Sequence, residues 1–226
     1  DATTLGREVS DYTAAVVGNL LNADSVTIWK DVPGILNADP RIFKNTIHIP
    51  ELTYLDAVEL AYSGAQIIHP KTIKPLENKK IPLFVRPFGA PHESGSVIKE
   101  KTDNPISVPV LILRKNLVLI TIRPKDFSFV LEESLSRAFS IFQKHRLKIS
   151  LIQSSAISIS ICVDNTRYLQ AALDELSNEF RVTYNTELEL LTIRGVNQEI
   201  IDETTENRVI LLSQRTRRMA RFLMAM

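Results

Sequence analysis

The chain has 226 residues, of which 44% are hydrophobic and 23% are charged, an ordinary composition for a soluble globular protein of about two domains. Its formal net charge of +1 excludes a broad basic surface for nucleic acid, and no apolar run approaches the roughly 20 residues that span a bilayer. We therefore expect neither nucleic acid nor a membrane as a partner. The single cysteine, Cys162, excludes an intrachain disulfide and favours a reducing compartment, so a cytoplasmic location is expected.

The first residues, DATTLG, carry neither an initiator methionine nor the basic and apolar segments of a signal peptide, and we expect them to lie within a longer protein. Residues 12–22 are rich in Ala, Val and Leu and predict a helix that packs on a sheet. Ser10 or Asp11 is the expected N-cap, because a side-chain oxygen there satisfies free N–H groups. The positive end of such a helix also favours an anion.

The next segment, residues 25–41, reads SVTIWKDVPGILNADPR. Its apolar start predicts a buried strand that ends at Lys30 and Asp31, and Pro33-Gly34 predicts a turn. Ligands of open α/β sheets bind just beyond the carboxyl ends of strands. The charged side chains at this strand end would therefore suit a nucleotide and its metal ion. An ordinary charged surface loop is the alternative interpretation.

Two helices are predicted next, over residues 54–62 and residues 71–78, and the first should stop at Gly64. Residues 81–86 predict a strongly apolar strand. Residues 87–106 then have the Pro, Gly and polar content of a linker, with one short strand at 96–98. We place the domain boundary near residues 101–105.

The remainder of the chain has a different rhythm. Strands are predicted at 108–113 and 117–122, followed by a helix at 131–145, strands at 148–153 and 156–163, a helix at 167–177 and a strand at 181–190. From residue 117 onward this is the β-α-β-β-α-β order of ferredoxin-like domains. A partial second copy follows, with strands at 189–193, 208–212 and 216–223 and a short helix near Glu199.

Four features in register carry a resemblance to a known family: TTLGREVSDYTAA, IWKDVPGILNADPR, ELAYSGAQIIHPKTIKPL and the β-α-β-β-α-β tail. Together they resemble aspartokinase (aspartate kinase) over essentially the whole chain. The resemblance implies an α/β fold, with the nucleotide-binding half of a three-layer, parallel-sheet amino-acid-kinase domain at residues 1–100. Paired ferredoxin-like (ACT) α+β regulatory domains are implied at residues 101–226. The first ACT domain would span about 116–187, and the second 106–115 plus 188–226.

The resemblance also implies the chemistry and its residues. The reaction is transfer of the γ-phosphoryl group of ATP, with Mg²⁺, to the side-chain carboxylate of L-aspartate, the first step of lysine, threonine and methionine biosynthesis. Asp11 matches the carboxylate that organises the catalytic groups. Aspartate is expected at Arg7, Glu8, Val9 and Ser10, where an arginine fork suits a carboxylate. ATP is expected at Lys30, Asp31, Leu36, Arg41, Gln66 and Ile67.

Three of these positions depart from the family pattern. Val9 replaces a usual glycine, and because a β-branched residue does not readily take positive φ, it puts the usual geometry of Arg7 and Ser10 in question. Lys30 replaces a common threonine, and Gln66 replaces a common lysine. The last two changes would compensate, since one cation remains near the phosphates. The four histidines are scattered, and no metal site built by the protein itself is predicted.

Effector amino acids bind this family at ACT interfaces, and the matching positions are Asp126, Ser150, Ser154 and Ser155. Lysine or threonine is the expected effector. A homodimer is expected because ACT domains pair across a two-fold axis. Ser150 stands where lysine-binding members often carry an acidic residue, so the obvious partner for an ammonium is missing there. Solvated loop side chains are the alternative interpretation of these positions.

Two other functions remain open. The chain could be a non-catalytic ACT-containing regulatory or assembly subunit of an aspartokinase, which the missing N-terminal phosphate segment and Val9 favour and the retained ATP positions at 30–41 oppose. It could also be a related kinase acting on glutamate or uridylate, which the ACT-like tail opposes. Because a kinase site needs both halves of its domain, the 226-residue chain alone is expected to be inactive.

Overall fold

A computed structural model describes residues 9–65, 68–103, 106–125 and 132–226. The first part of the chain contains α1 (Val9–Leu20), β1 (Val26–Lys30), β2 (Ile35–Leu36), β3 (His48–Ile49), β4 (Glu51–Thr53), α2 (Tyr54–Ser63), α3 (Pro70–Glu77), β5 (Leu83–Pro87) and β6 (Ser96–Lys99). The second part contains β7 (Val110–Pro124), α4 (Glu132–Lys144), β8 (Ile149–Ser154), β9 (Ile159–Asp164), α5 (Leu169–Glu179), β10 (Phe180–Arg194), α6 (Gln198–Thr205), β11 (Ile210–Arg215) and β12 (Met219–Ala225).

A four-stranded sheet with the order β1-β5-β6-β4 organises the first part. β1 pairs with β5 and β4 pairs with β6 in parallel, while β5 and β6 are antiparallel. Alternate side chains of a strand point to opposite faces. On one face Val26, Ile28, Leu83 and Val85 are buried in a core cluster that also contains residues of α1, α2 and α3. The predicted α/β class and its parallel strand pairs are confirmed.

Local sequence signals set the ends of α2 and α3. Thr53 and Asp56 form a capping box at the start of α2, in which each side chain accepts a hydrogen bond from the other residue's backbone N–H. The helix stops at Gly64, whose φ of 111° lies in the left-handed region, as predicted. His69 caps α3, because its Nδ1 accepts a hydrogen bond from the Lys71 N–H at 3.1 Å.

The first helix, α1, begins at Val9, earlier than predicted. Ser10 and Asp11 therefore lie inside its first turn, and their assignment to the N-cap is wrong. An acidic side chain in the first turn is still favoured by the positive end of the helix. Gly18 lets the helix approach β1 closely, since a Cβ there would lie 2.4 Å from Cγ2 of Val26.

A six-stranded sheet with the order β11-β12-β10-β7-β9-β8 organises the second part. The predicted strands at 108–113 and 117–122 are one long strand, β7, and those at 181–190 and 189–193 are one strand, β10. Asn116 has a φ of 58° and Glu187 a φ of 57°, so each long strand contains a local irregularity near the predicted break. Elements β7-α4-β8-β9-α5-β10 keep the predicted β-α-β-β-α-β order.

The alternating sequence of β9 predicts burial of only one of its two faces. Ile159, Ile161 and Val163 are buried in one core cluster, while Cys162 on the opposite face is buried in a second cluster. Both faces of β9 are therefore covered at Cys162, although alternation predicts one exposed face. Burial raises the pKa of the Cys162 thiol to about 12, which keeps it in the unreactive protonated form.

The chain divides into two compact units. One extends to Ile112 and includes Thr192–Glu203 and Arg215–Ala220, and the other comprises Leu113–Leu191, Thr204–Gln214 and Arg221–Met226. The predicted boundary near residues 101–105, and the division into residues 1–100 and 101–226, stay predictions. None of the helices in the described ranges combines the length and apolar character needed to cross a bilayer.

Candidate functional site

The first feature of the site is an ion pair where β1 ends and α1 begins. Lys30 Nζ lies 2.8 Å from Asp11 Oδ2, and only 24% and 11% of the two side chains are exposed. Asp11 Oδ2 is buried and accepts no hydrogen bond of good geometry from the described residues, so Lys30 neutralises it by proximity. Lys30 forms no second ion pair within the same ranges. Its ammonium therefore keeps donors for a ligand.

Two of the predicted aspartate-binding residues, Val9 and Ser10, lie in the same helix as Asp11. Val9 is the first residue of α1, and a helical backbone does not require the missing glycine. Ser10 follows it and is exposed. Arg7 and Glu8 lie outside the described residues. The structure therefore puts Ser10 beside Asp11 in one helical turn.

The second feature is the hairpin of residues 35–49, formed by β2, β3 and their connecting loop. We call it the nucleotide hairpin because the predicted ATP positions Leu36 and Arg41 lie in it. Its strands pair antiparallel. Leu36 is half-buried in β2. Arg41 is exposed and binds Asp39 through both guanidinium Nε and Nη2, the latter at 2.7 Å. This hydrogen bond lowers the pKa of Asp39, and the same bond raises the pKa of Arg41.

The nucleotide hairpin is fastened to the sheet by Ser96 of β6. The Ser96 hydroxyl is 1% exposed, accepts from the Ile35 N–H at 2.8 Å and donates to the Ile49 carbonyl at 2.6 Å. Its only proton is thereby used, so His48 Nε2, 3.0 Å away, must be the donor to Ser96. Gly34 has a φ of 143°, and a Cβ there would lie 2.6 Å from His48 Nε2. Only glycine fits this turn.

The remaining ATP positions are distributed as follows. Asp31 follows Lys30 at the end of β1 and is exposed. Gln66 and Ile67 lie outside the described residues. Direct contacts join Asp11 to Lys30 and Asp39 to Arg41, and no hydrogen bond or ion pair between described residues joins these two pairs.

A groove of about 980 Å³ lies between α1 and α3. Its lining includes Val9, Tyr12 and Leu20 from α1 and Lys71 and Lys74 from α3. Neither Asp11 nor Lys30 lines it, so the groove does not coincide with the ion pair at the strand end.

The predicted effector positions lie on and after β8. Ser150 accepts a hydrogen bond from Arg114 Nη1 at 2.6 Å, and Arg114 also pairs with Asp164. Ser154 ends β8 and is exposed. Ser155 forms a turn with Ser158, their hydroxyl oxygens 2.9 Å apart. Asp126 lies outside the described residues.

Three residues that hold the site together carried no role in the sequence analysis: Ser96, His48 and Asn37. Asn37 Oδ1 accepts from the Ile47 N–H at 2.6 Å and closes the hairpin loop. Ser96 acts across a sequence separation of 61 residues from Ile35, a distance over which periodicity carries no information. An asparagine within a charged loop was the one available signal, and the sequence alone did not distinguish it from the other polar residues of that segment.

The sequence of this chain is similar to those of known proteins. Residues 1–87 match the amino acid kinase family. Lysine-sensitive aspartokinase 3 of Escherichia coli is 35% identical over 201 residues, which are 85% of this chain and 44% of that protein. Aspartokinase 1 of Arabidopsis thaliana, a chloroplastic protein, is 33% identical over 183 residues, which are 78% of this chain and 32% of its own length. The chain thus spans less than half the length of these relatives.

Solved structures extend the comparison to the second part of the chain. Escherichia coli aspartokinase III in complex with aspartate and ADP matches 99% of this chain and 54% of its own chain, with a TM-score of 0.83 and 31% identity. The same enzyme in complex with lysine and aspartate gives a TM-score of 0.77 and 33% identity over 98% of this chain. Clostridium acetobutylicum aspartate kinase, at 22% identity and a TM-score of 0.80, shares the fold.

The N-terminal part of the chain therefore matches the amino acid kinase family, over residues 1–87. The chain as a whole is similar to the aspartokinases over part of their length.

Proposed function

We propose that this chain is part of an aspartate kinase, which transfers the γ-phosphoryl group of ATP to the side-chain carboxylate of L-aspartate. The observation that carries the proposal is the Lys30–Asp11 pair at the junction of β1 and α1, 2.8 Å apart and mostly buried. The similarity to an aspartokinase that binds aspartate and ADP supports it. The product would be an acyl phosphate, in the first step of lysine, threonine and methionine biosynthesis.

In this proposal the protein lowers the barrier mainly by positioning the reactants and by neutralising the charge of the phosphates. Phosphoryl transfer passes through a state with charge spread over the equatorial oxygens, so cations near those oxygens lower the barrier. Lys30 and Arg41 would supply two of the cations. Asp39 holds the Arg41 guanidinium through two nitrogens and thereby orients it. Asp11 would organise the catalytic groups, beside Ser10 and Arg7 at the substrate.

Mg²⁺ would enter with ATP. The described residues contain no cluster of three or more His, Cys, Asp or Glu side chains suited to a metal ion. Mg²⁺ in kinase sites usually binds through phosphate oxygens, water and one or two carboxylates. Asp31 fits that smaller role, since it is exposed directly after the strand end, whereas Asp39 is engaged by Arg41.

We also propose that β8 and the following turn form an amino-acid effector site in a homodimer. The similarity to an aspartokinase that binds lysine supports an effector, with lysine or threonine as candidates. Ser150, Ser154, Ser155 and Asp126 are the proposed contacts. Because Ser150 is occupied by Arg114, a lysine ammonium would have to find its partner elsewhere. The two ACT domains and the cytoplasmic location remain part of this proposal.

A regulatory subunit is the second candidate, because β7-α4-β8-β9-α5-β10 keep the β-α-β-β-α-β order of ferredoxin-like domains. The decisive experiment uses the complete protein with ATP·Mg²⁺ and aspartate, glutamate or uridylate as acceptor. Hydroxylamine traps an acyl phosphate as a hydroxamate, which gives a coloured complex with ferric ion. Aspartate-dependent hydroxamate and ADP would support the kinase. Lysine or threonine binding without any acceptor-dependent ADP would support the regulatory subunit instead.

A further inference from the structure

Asn37 forms hydrogen bonds through both its side chain and its backbone. It is 9% exposed, and its backbone N–H donates to the Ile47 carbonyl at 2.9 Å while its Oδ1 accepts from the Ile47 N–H at 2.6 Å. Its Nδ2 donates to the Pro109 carbonyl at 2.9 Å, and its own carbonyl accepts from the Leu111 N–H at 2.7 Å. One side of Asn37 therefore closes the nucleotide hairpin, and the other binds the start of β7.

The strand that Asn37 binds is long. Val110 and Ile112 of β7 are buried in the same core cluster as Ile35 and Ile49 of the nucleotide hairpin. The strand continues to Pro124 and pairs with β9 from Leu117 onward. Its first residues therefore fix the hairpin, while its later residues belong to the sheet that carries the proposed effector positions.

We infer that Asn37 is a positioning residue. It holds the nucleotide hairpin in the position that binds ATP, and it couples the position of that hairpin to the start of β7. This inference rests on the proposed ATP site at Lys30, Leu36 and Arg41. The two partly buried hydrogen bonds to Pro109 and Leu111 cannot both persist if the start of β7 shifts relative to the hairpin, and Asn37 itself is buried, where unpaired polar groups are costly. By thermodynamic linkage, nucleotide binding must then stabilise the start of β7 as much as β7 stabilises the bound nucleotide.

Asn37→Asp distinguishes the hydrogen bond that closes the hairpin from the hydrogen bond to Pro109. The aspartate keeps an oxygen for the Ile47 N–H but places a carboxylate oxygen against the Pro109 carbonyl. Asn45→Asp is the matched control, because Asn45 is exposed in the same loop and the change adds the same charge. In the complete protein we expect the calorimetric Kd for ADP·Mg²⁺ to rise about tenfold in Asn37→Asp and less than about twofold in Asn45→Asp. The Kd for aspartate should stay unchanged in both, which a general loss of folding would not allow.

Amide hydrogen exchange measures the coupling itself. ADP·Mg²⁺ should slow exchange at the Leu111 N–H in the wild type and in Asn45→Asp, and this protection should be lost in Asn37→Asp. Unchanged ADP affinity in Asn37→Asp, or no ADP-dependent protection of Leu111 in the wild type, would overturn the inference while leaving the kinase proposal intact. A wild-type protein that binds no ADP·Mg²⁺ would instead remove the proposed function, and the inference with it.

Discussion

The carboxyl end of β1 and the six-stranded sheet differ in how their ion pairs are connected. At the end of β1, Lys30 and Asp11 pair only with each other among the described residues, and the buried Asp11 oxygen accepts no well-formed hydrogen bond from them. In the six-stranded sheet, Arg114 donates to both Ser150 and Asp164. Glu189 is contacted by Lys115 and Arg208.

The difference indicates which charges serve a ligand and which serve the fold. A charge whose hydrogen-bonding capacity is filled by neighbours stabilises the native state but has little left for a substrate. A charge with one neighbour keeps that capacity, at some cost in stability. On this basis we propose that the strand end at Lys30 binds a ligand and that the networks around Arg114 and Glu189 stabilise the fold.

The largest effect is expected from a change of Asp11, which pairs with Lys30 at the proposed binding site. Asp11→Asn keeps the shape of the side chain but removes the charge opposite Lys30. We expect kcat for aspartate-dependent ADP release by the complete protein to fall by about 100-fold or more, in the range seen when one electrostatic group of a preorganised site is lost. Steady-state kinetics measure this. A melting temperature within a few degrees of the wild type shows that folding is intact, and full activity would remove Asp11 from the catalytic machinery.

A change of Arg114, in the network proposed to stabilise the fold, should lower stability without weakening ligand binding. Arg114→Met leaves Asp164 without its cation, and the Arg114 side chain is only 16% exposed. We expect the free energy of unfolding, measured with urea, to fall by about 2 kcal/mol. Arg137→Met is the control, since Arg137 is 57% exposed and its pairs with Glu133 and Glu179 lie at the surface, and it should lower the free energy of unfolding much less than Arg114→Met does. Equal costs for both variants would contradict the assignment.

Sequence reasoning succeeded where the signals were local. The capping box at Thr53 and the glycine at position 64 bound α2, and both are readable from short spacings. The hairpin of β2 and β3 was missed because each strand has two residues, too few to show a period. β7 was divided in two because Asn116 resembles a turn residue, and it does take positive φ within a continuous strand.

The candidate site, too, could be predicted only in part from the sequence. The general rule that ligands bind beyond the carboxyl ends of parallel strands was enough to select Lys30. The ion pair with Asp11 joins residues that chain order alone does not bring together. Ser96 and Asn37 act through contacts with residues about 60 to 70 positions away in the chain, so only the folded structure reveals them.

A smaller effect is expected from pH at Glu189, which is 4% exposed. Burial alone would raise its pKa, but hydrogen bonds from Arg208 and Lys115 outweigh burial and lower it below the usual 4.5. A carboxyl with a lowered folded-state pKa contributes stability above its unfolded pKa and loses that contribution as the pH falls through the folded value. The difference in urea midpoint between wild type and Glu189→Gln should therefore be present at pH 7 and shrink below about pH 4. A pH-independent difference would contradict this.

The smallest expected effect concerns Cys162. With its pKa raised to about 12 by burial, the thiol should not react with a disulfide reagent at pH 8 in the native protein, and it should react at once in denaturant. Absorbance of the released thiolate reports this. Rapid native labelling would show that β9 opens and that the second core cluster is less rigid than its burial indicates.

The most direct test of the central claim compares two lysines of the same sheet by titration of the complete protein with ADP·Mg²⁺. Lys30 and Lys99 each pair with a carboxylate, at 2.8 Å and 3.0 Å, with 24% and 28% of their side chains exposed. Lys30 aligns with Pro87 at the carboxyl end of β5, while Lys99 follows Ile98, which aligns with Leu83 at the amino end. We predict that Lys30→Met weakens ADP binding by about tenfold or more and that Lys99→Met changes it by less than about twofold. Equal affinities for the two variants would contradict the claim that the strand end at Lys30 is the nucleotide site.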